Sequence, residues 1–198
     1  TSNIGIGSTA VDSITTGDYN IGIGDNALTT TDIGNKNSAV GHNALGNNTS
    51  GNGNVASGYL ALASNTIGNY GVAAGQQALY SNTEGLNNVA CGYYSMYTNT
   101  TGNYNTATGT QTLYSNTEGE SNVASGGSAL YSNTEGDGNV AIGYAALYAC
   151  STGSRNQAFG KDAGRTGSPG GNVTTGDDQL CLGDENIANA HVQVDWTV

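Results

Sequence analysis

The sequence predicts an all-β fold, a parallel β-solenoid or β-roll of 17-residue coils, and three observations predict it. A glycine recurs at Gly7, Gly24, Gly41, Gly58, Gly75, Gly92, Gly109, Gly126, Gly143 and Gly160, always at the same interval. A second glycine column follows ten residues behind, from Gly17 and Gly34 to Gly136 and Gly153. No insertion interrupts these copies, although loops tolerate insertions readily. Successive copies must therefore stack in register.

Composition alone would point elsewhere. Gly, Asn, Thr and Ser make up 99 of the 198 residues, whereas Ile, Leu, Val and Phe make up only 32. That is too little for helices around a conventional core and by itself resembles a disordered chain. The strict period overrides it. With 4 cationic and 15 anionic side chains the net charge is −11, which excludes a free nucleic-acid binder needing a basic face. No apolar run approaches the ~20 residues of a membrane helix, so no membrane insertion is expected. Thr1 is not a natural start and suggests a fragment or a processed chain.

The consensus is Asn-Val-Ala-x-Gly-x-x-Ala-Leu-Tyr-Ser-Asn-Thr-x-Gly-Asn-x. Helix is excluded, because each of these closely spaced glycines costs up to ~1 kcal/mol at an interior position. The first segment, such as Asn54-Val55-Ala56-Ser57, alternates as a strand does, with Asn54 and Ala56 facing one way and Val55 and Ser57 the other. The second, such as Gln77-Ala78-Leu79-Tyr80, is expected to be another short strand. Ser-Asn-Thr-x-Gly-Asn is turn chemistry. Two columns then define the packing. The position two before the first glycine is Gly5, Gly22, and then alanine from Ala39 to Ala158, so another backbone must approach closely. The position four after it is Val11, Leu28, Leu45, Leu62, Leu79, Met96, Leu113, Leu130 and Leu147, an aliphatic ladder that must be buried. One Leu, one Val-type and two Ala positions per coil make a thin core, and three chains sharing it as a homotrimer is the simplest way to keep it dry.

These residues resemble a known family. Asn-Val-Ala-x-Gly-x-x-Ala-Leu is similar to the head repeats of trimeric autotransporter adhesins, and the longer form with Tyr-Ser-Asn-Thr-x-Gly-Asn is more similar to phage and virus tail-fibre shafts. The resemblance covers residues 1–164, expected to form the shaft, with 165–198 as an irregular cap. Within that cap, Asp177-Asp178-Gln179-Leu180-Cys181-Leu182-Gly183-Asp184 is a decayed last repeat, whose Gly183 follows Gly160 by six positions more than the period. The alternating tail from His191 to Val198 resembles the stretch just upstream of the self-cleaving intramolecular chaperone of endosialidase-type tail spikes. The resemblance implies a homotrimer on a virion tail fibre, joined to upstream fibre segments, assembled by a transient C-terminal chaperone, and binding a host cell-surface receptor of polysaccharide type. The alternatives are a trimeric adhesin on a bacterial surface and, from a different class, an ice-binding solenoid.

No nucleophile–base pair, phosphate loop or metal-ligand spacing emerges, so neither enzyme activity nor a metal or cofactor is expected. His42 and His191 read as surface residues. Cys91, Cys150 and Cys181 form no disulfide framework and read as small apolar fillers. The column Glu84, Glu118 and Glu135 is too sparse for a calcium solenoid and reads as solvated charge. Tyr80, Tyr97, Tyr114, Tyr131 and Tyr148 form a ladder whose two readings are mutual stacking that stiffens the shaft and a row that stacks on sugar rings. The Ser-Asn-Thr columns could present a flat hydroxyl array of the ice-binding kind. Arg155, Lys161 and Arg165 gather just before Thr166-Gly167-Ser168-Pro169-Gly170-Gly171, where the period breaks. Arg165, Thr166, Ser168 and Pro169 are the expected contacts for an acidic or glycan receptor, while Trp196 with Val192, Val194 and Val198 is expected to pack between chains at the fibre end.

Overall fold

A computed structural model describes residues 2–165 and 171–184. It contains eleven three-residue strands, β1 (Ile4–Ile6), β2 (Ile21–Ile23), β3 (Ser38–Val40), β4 (Val55–Ser57), β5 (Val72–Ala74), β6 (Val89–Cys91), β7 (Thr106–Thr108), β8 (Val123–Ser125), β9 (Val140–Ile142), β10 (Gln157–Phe159) and β11 (Leu180–Leu182). They form one all-parallel sheet in chain order. From β1 to β10 each residue pairs with its equivalent one period on, as Val55 with Val72 and Ala56 with Ala73. The last step is longer, Gln157 pairing with Leu180. The decayed repeat therefore re-enters the stack once the extra residues have been looped out.

The second expected strand is absent. Residues such as Gln77 and Leu79 have φ of +55° and +51°, and their counterparts in other coils do the same. The segment is a run of turns in which every second residue is left-handed. A coil with one short strand must bend back sharply elsewhere, and an extended second segment would not close it. Left-handed leucine is disfavoured by roughly 1–2 kcal/mol. Coil-to-coil hydrogen bonds hold it there: Gln77 N–H donates to Tyr59 O in the coil before (2.9 Å) and Leu79 N–H to Ser95 O in the coil after (3.0 Å).

The core lies inside a single chain. Leu28, Leu45, Leu62, Leu79, Leu113, Leu130 and Leu147 are all 0 % exposed. Alanines from the strand column (Ala56, Ala73, Ala107) and the facing column (Ala61, Ala78, Ala129) cover them. The shared-core argument for a trimer thus loses its premise. The small-residue column is explained by the chain's own opposite wall: a Cβ on Gly22 would lie 3.1 Å from Ala27 O. The valine column, counted above as core, faces outward, with Val55 44 % exposed.

Two asparagine ladders complete the interior. In the first, Asn105, Asn122, Asn139 and Asn156 each receive the next coil's backbone N–H on Oδ1 and donate Nδ2 to a glycine carbonyl, as Asn105 does to Gly119 O (2.7 Å). In the second, Asn65, Asn82, Asn99, Asn116 and Asn133 bond side chain to side chain at 2.7–2.8 Å. Buried amides are tolerated because the next coil partners them, up to Asn133, whose Oδ1 lacks a partner where Cys150 replaces the next asparagine. The first ladder has one gap, at Gly71, where an added Cβ would meet Asn54 Oδ1 at 3.2 Å and Leu62 Cδ1 at 3.4 Å. Gly71→Asn should fill it, stabilising the chain by about 1 kcal/mol through a regained hydrogen bond and a less flexible unfolded state. Urea unfolding checks this; a lower midpoint would show that Leu62 has closed the space.

Candidate functional site

The register carries each side chain over its equivalent one coil away, and this builds the tyrosine ladder. The rings of Tyr80, Tyr97, Tyr114, Tyr131 and Tyr148 stack with centroids 5.0–5.3 Å apart and planes within 8°. Tyr94 packs edge-on against Tyr97 and Tyr114. The Arg165 guanidinium lies 4.9 Å over the Tyr148 ring and caps the row, held there by Asp162 Oδ1 at 2.8 Å. Partial burial, and then neighbouring phenols, push the Tyr97 and Tyr131 hydroxyls above their ordinary range. The ring faces are engaged with one another, so the row can offer a ligand only edges and hydroxyls. A sugar has no open face in its middle on which to stack.

The three clustered cations are engaged in ion pairs. Arg155 makes a two-pronged contact with Asp178, Nε to Oδ1 at 2.7 Å and Nη2 to Oδ2 at 2.9 Å, which raises the guanidinium's pKa and lowers the carboxyl's. The contact ties β10's coil to the last repeat across the insertion. Lys161 and Arg165 share Asp162, at 3.5 and 2.8 Å. Of the expected receptor contacts, Thr166, Ser168 and Pro169 lie outside the described residues, as do His191, Val192, Val194, Trp196 and Val198.

Among the described residues no group of three His, Cys, Asp or Glu could hold a metal ion. His42 stacks on Tyr59 at 5.6 Å. Cys150 and Cys181 are buried free thiols, and burial pushes Cys150 up to about 11, away from thiolate reactivity. Cys91 differs from its expected role as a filler, standing half-buried on the outer face of the sheet, paired in register with Ala74 and Thr108. Glu84, Glu118 and Glu135 are exposed. The threonine hydroxyls are engaged along the stack: Thr66, Thr100 and Thr117, each part-buried, donate Oγ1–H to the next coil's threonine carbonyl at 2.9–3.0 Å, and the asparagine beside each is buried.

One row escaped the sequence reading. The residue two after the second glycine is left-handed in every coil and projects outward, giving Tyr19, Lys36, Gly53, Tyr70, Asn87 and Tyr104 in succession. Its signal was the recurring Gly-x-Tyr in Gly17-Asp18-Tyr19, Gly68-Asn69-Tyr70 and Gly102-Asn103-Tyr104, hidden because the consensus leaves that position variable.

By architecture the chain is a parallel β-solenoid of 17-residue coils. No protein-family model, curated protein or solved structure matches it.

Proposed function

We propose that this chain is the shaft of a homotrimeric attachment fibre on a viral tail, presenting a surface for a host polysaccharide receptor. The supporting observation is the outer face of the sheet. Ile4, Ile6, Ile21, Ile23, Val40, Val55, Val123, Ile142, Phe159 and Leu180 all stand exposed on it, in two columns that Ser38, Ser57, Thr106, Thr108, Ser125 and Gln157 interrupt. Apolar side chains gathered on one face in this way mark an interface. A second and a third copy of the same chain fit it best, because their stripes share its length and coil spacing. Uniform coils suit a stiff spacer, and the acidic, polar remainder of the surface suits solubility.

Analytical ultracentrifugation of the purified chain is expected to give three chains per particle. The double variant Val55→Lys/Val123→Lys should give a folded monomer, and should lose retention on bacterial cells that bind the wild-type particle. A wild-type monomer at micromolar concentration overturns the assembly. Coding sequence beyond Val198 separates viral from bacterial origin: a self-cleaving chaperone supports the tail fibre, and a membrane-anchoring barrel overturns it in favour of an adhesin.

A further inference from the structure

The row Tyr19, Lys36, Gly53, Tyr70 contains a gap. Gly53 lacks a side chain, and the Tyr70 ring leans over it, so that a Cβ there would meet Tyr70 Cδ1 at 2.8 Å and Cε1 at 3.0 Å. A cleft of about 400 Å³ opens at this place, lined by Asp18, Tyr19, Asn35, Lys36, Asn52 and Tyr70. That volume is within the usual range for small-ligand sites. Two features equip the cleft for a ligand. Tyr19 and Tyr70 are 64 % and 62 % exposed and have no ring partner among the described residues, unlike the stacked ladder. Lys36 is the one lysine or arginine with no carboxylate within ion-pair distance among the described residues, whereas Arg155, Lys161 and Arg165 all have one.

Open phenol faces take the apolar face of a pyranose ring, and an ammonium left without a carboxylate takes an anionic group. The amides of Asn35 and Asn52 are fixed in place by Ile33 O and Ser50 O, each at 2.9 Å, so the polar floor of the cleft is pre-ordered. We infer that this cleft binds a carboxylated saccharide unit, its ring against Tyr19 or Tyr70 and its carboxylate on Lys36 Nζ. The biological sense of such a site rests on the attachment reading, but its chemistry is measured separately.

The test is calorimetric titration of the full chain with trigalacturonate and sialyllactose, each beside its own carboxyl methyl ester as the neutral counterpart. The expected result is binding of at least one acidic probe, weaker by about tenfold for its neutral partner, the size of one charge-assisted contact. Gly53→Asn fills the cleft with the residue that Asn87 already supplies at the same left-handed position, φ 56°, so the fold is retained. It should abolish binding. Lys36→Gln should erase the preference for acid over ester, and Tyr19→Ala with Tyr70→Ala should weaken both probes. Absence of binding by both acidic probes, equal binding of the neutral counterparts, or unchanged binding by a folded Gly53→Asn variant overturns the inference. None of these results alters the particle mass or cell retention on which the assembly reading is judged.

Discussion

Gly75→Ala is expected to lower the thermal midpoint by about 10 °C or more, since strain and lost bonds together amount to about 4 kcal/mol and each kcal/mol moves the midpoint of a chain this size by about 2–4 °C. Gly75 sits at φ +140°, a conformation in which an L side chain is strained. An added Cβ would lie 2.5 Å from Gly92 O and 2.7 Å from Gly92 C. Both atoms are backbone of the next coil, and that coil cannot retreat. Gly92 N–H donates to Ala74 O at 2.8 Å and Val72 N–H to Asn88 O at 2.8 Å, and both bonds would have to lengthen. Because each coil touches only its neighbours, the defect splits the stack into two shorter ones. Gly127→Ala is the control: its φ is not left-handed and the nearest atom to its Cβ would be in the Tyr144 ring at 3.5 Å, so no loss is expected. Circular dichroism melts of the two variants decide the matter. Equal midpoints would mean that the coils are not held at this separation.

Asn105→Ala is expected to destabilise by about 2–4 kcal/mol, one orphaned N–H together with one lost hydrogen bond. The side chain donates to Gly119 O at 2.7 Å and accepts from Asn122 N at 3.0 Å and Asn122 Nδ2 at 3.1 Å. Truncation leaves the Asn122 backbone N–H unpaired in a site that is 0 % exposed, at about 1–3 kcal/mol, and takes one of two donors from Gly119 O, which keeps the Asn116 Nδ2 bond at 3.0 Å. Asn105→Asp separates hydrogen bonding from shape. Only a protonated carboxyl can donate to Gly119 O, so folding raises its pKa above the unfolded value of ~3.9. Its stabilising contribution is therefore present below that value and lost as pH rises through the folded pKa. Urea midpoints should favour Asn105→Asp over Asn105→Ala at about pH 3 and bring the two together near neutral pH. A pH-independent gap would show that the ladder acts by volume alone.

The asparagine ladders also mark the limit of what could be read from residues. In the consensus the asparagine of Ser-Asn-Thr looked like a turn former, and the one before Val-Ala like the start of a strand, facing the same way as its alanine. That they point inward and bond coil to coil follows only once the coils are stacked, because a buried amide is acceptable only where a partner waits one coil away. The tyrosine row was legible, as equal residues at equal spacing must lie over one another. Ring orientation was not legible: planes within 8° turn the faces between neighbouring rings toward one another. The row that does have open faces, Tyr19 and Tyr70, was passed over because its residues vary from coil to coil.

Coil length, the strand at Asn-x-Ala-x, the inward leucine and alanine columns, and the re-entry of Leu180–Leu182 after the insertion were all determined by the sequence itself. An uninterrupted period admits only in-register stacking, and register then assigns every column. Only the tertiary structure decided that the second segment bends rather than extends, that one chain buries its own leucines, and that the valine column faces out. These outcomes depend on left-handed backbone at residues such as Gln77 and Leu79, which side-chain type disfavours. The next coil's hydrogen bonds impose it, and those exist only when the coils are already in contact.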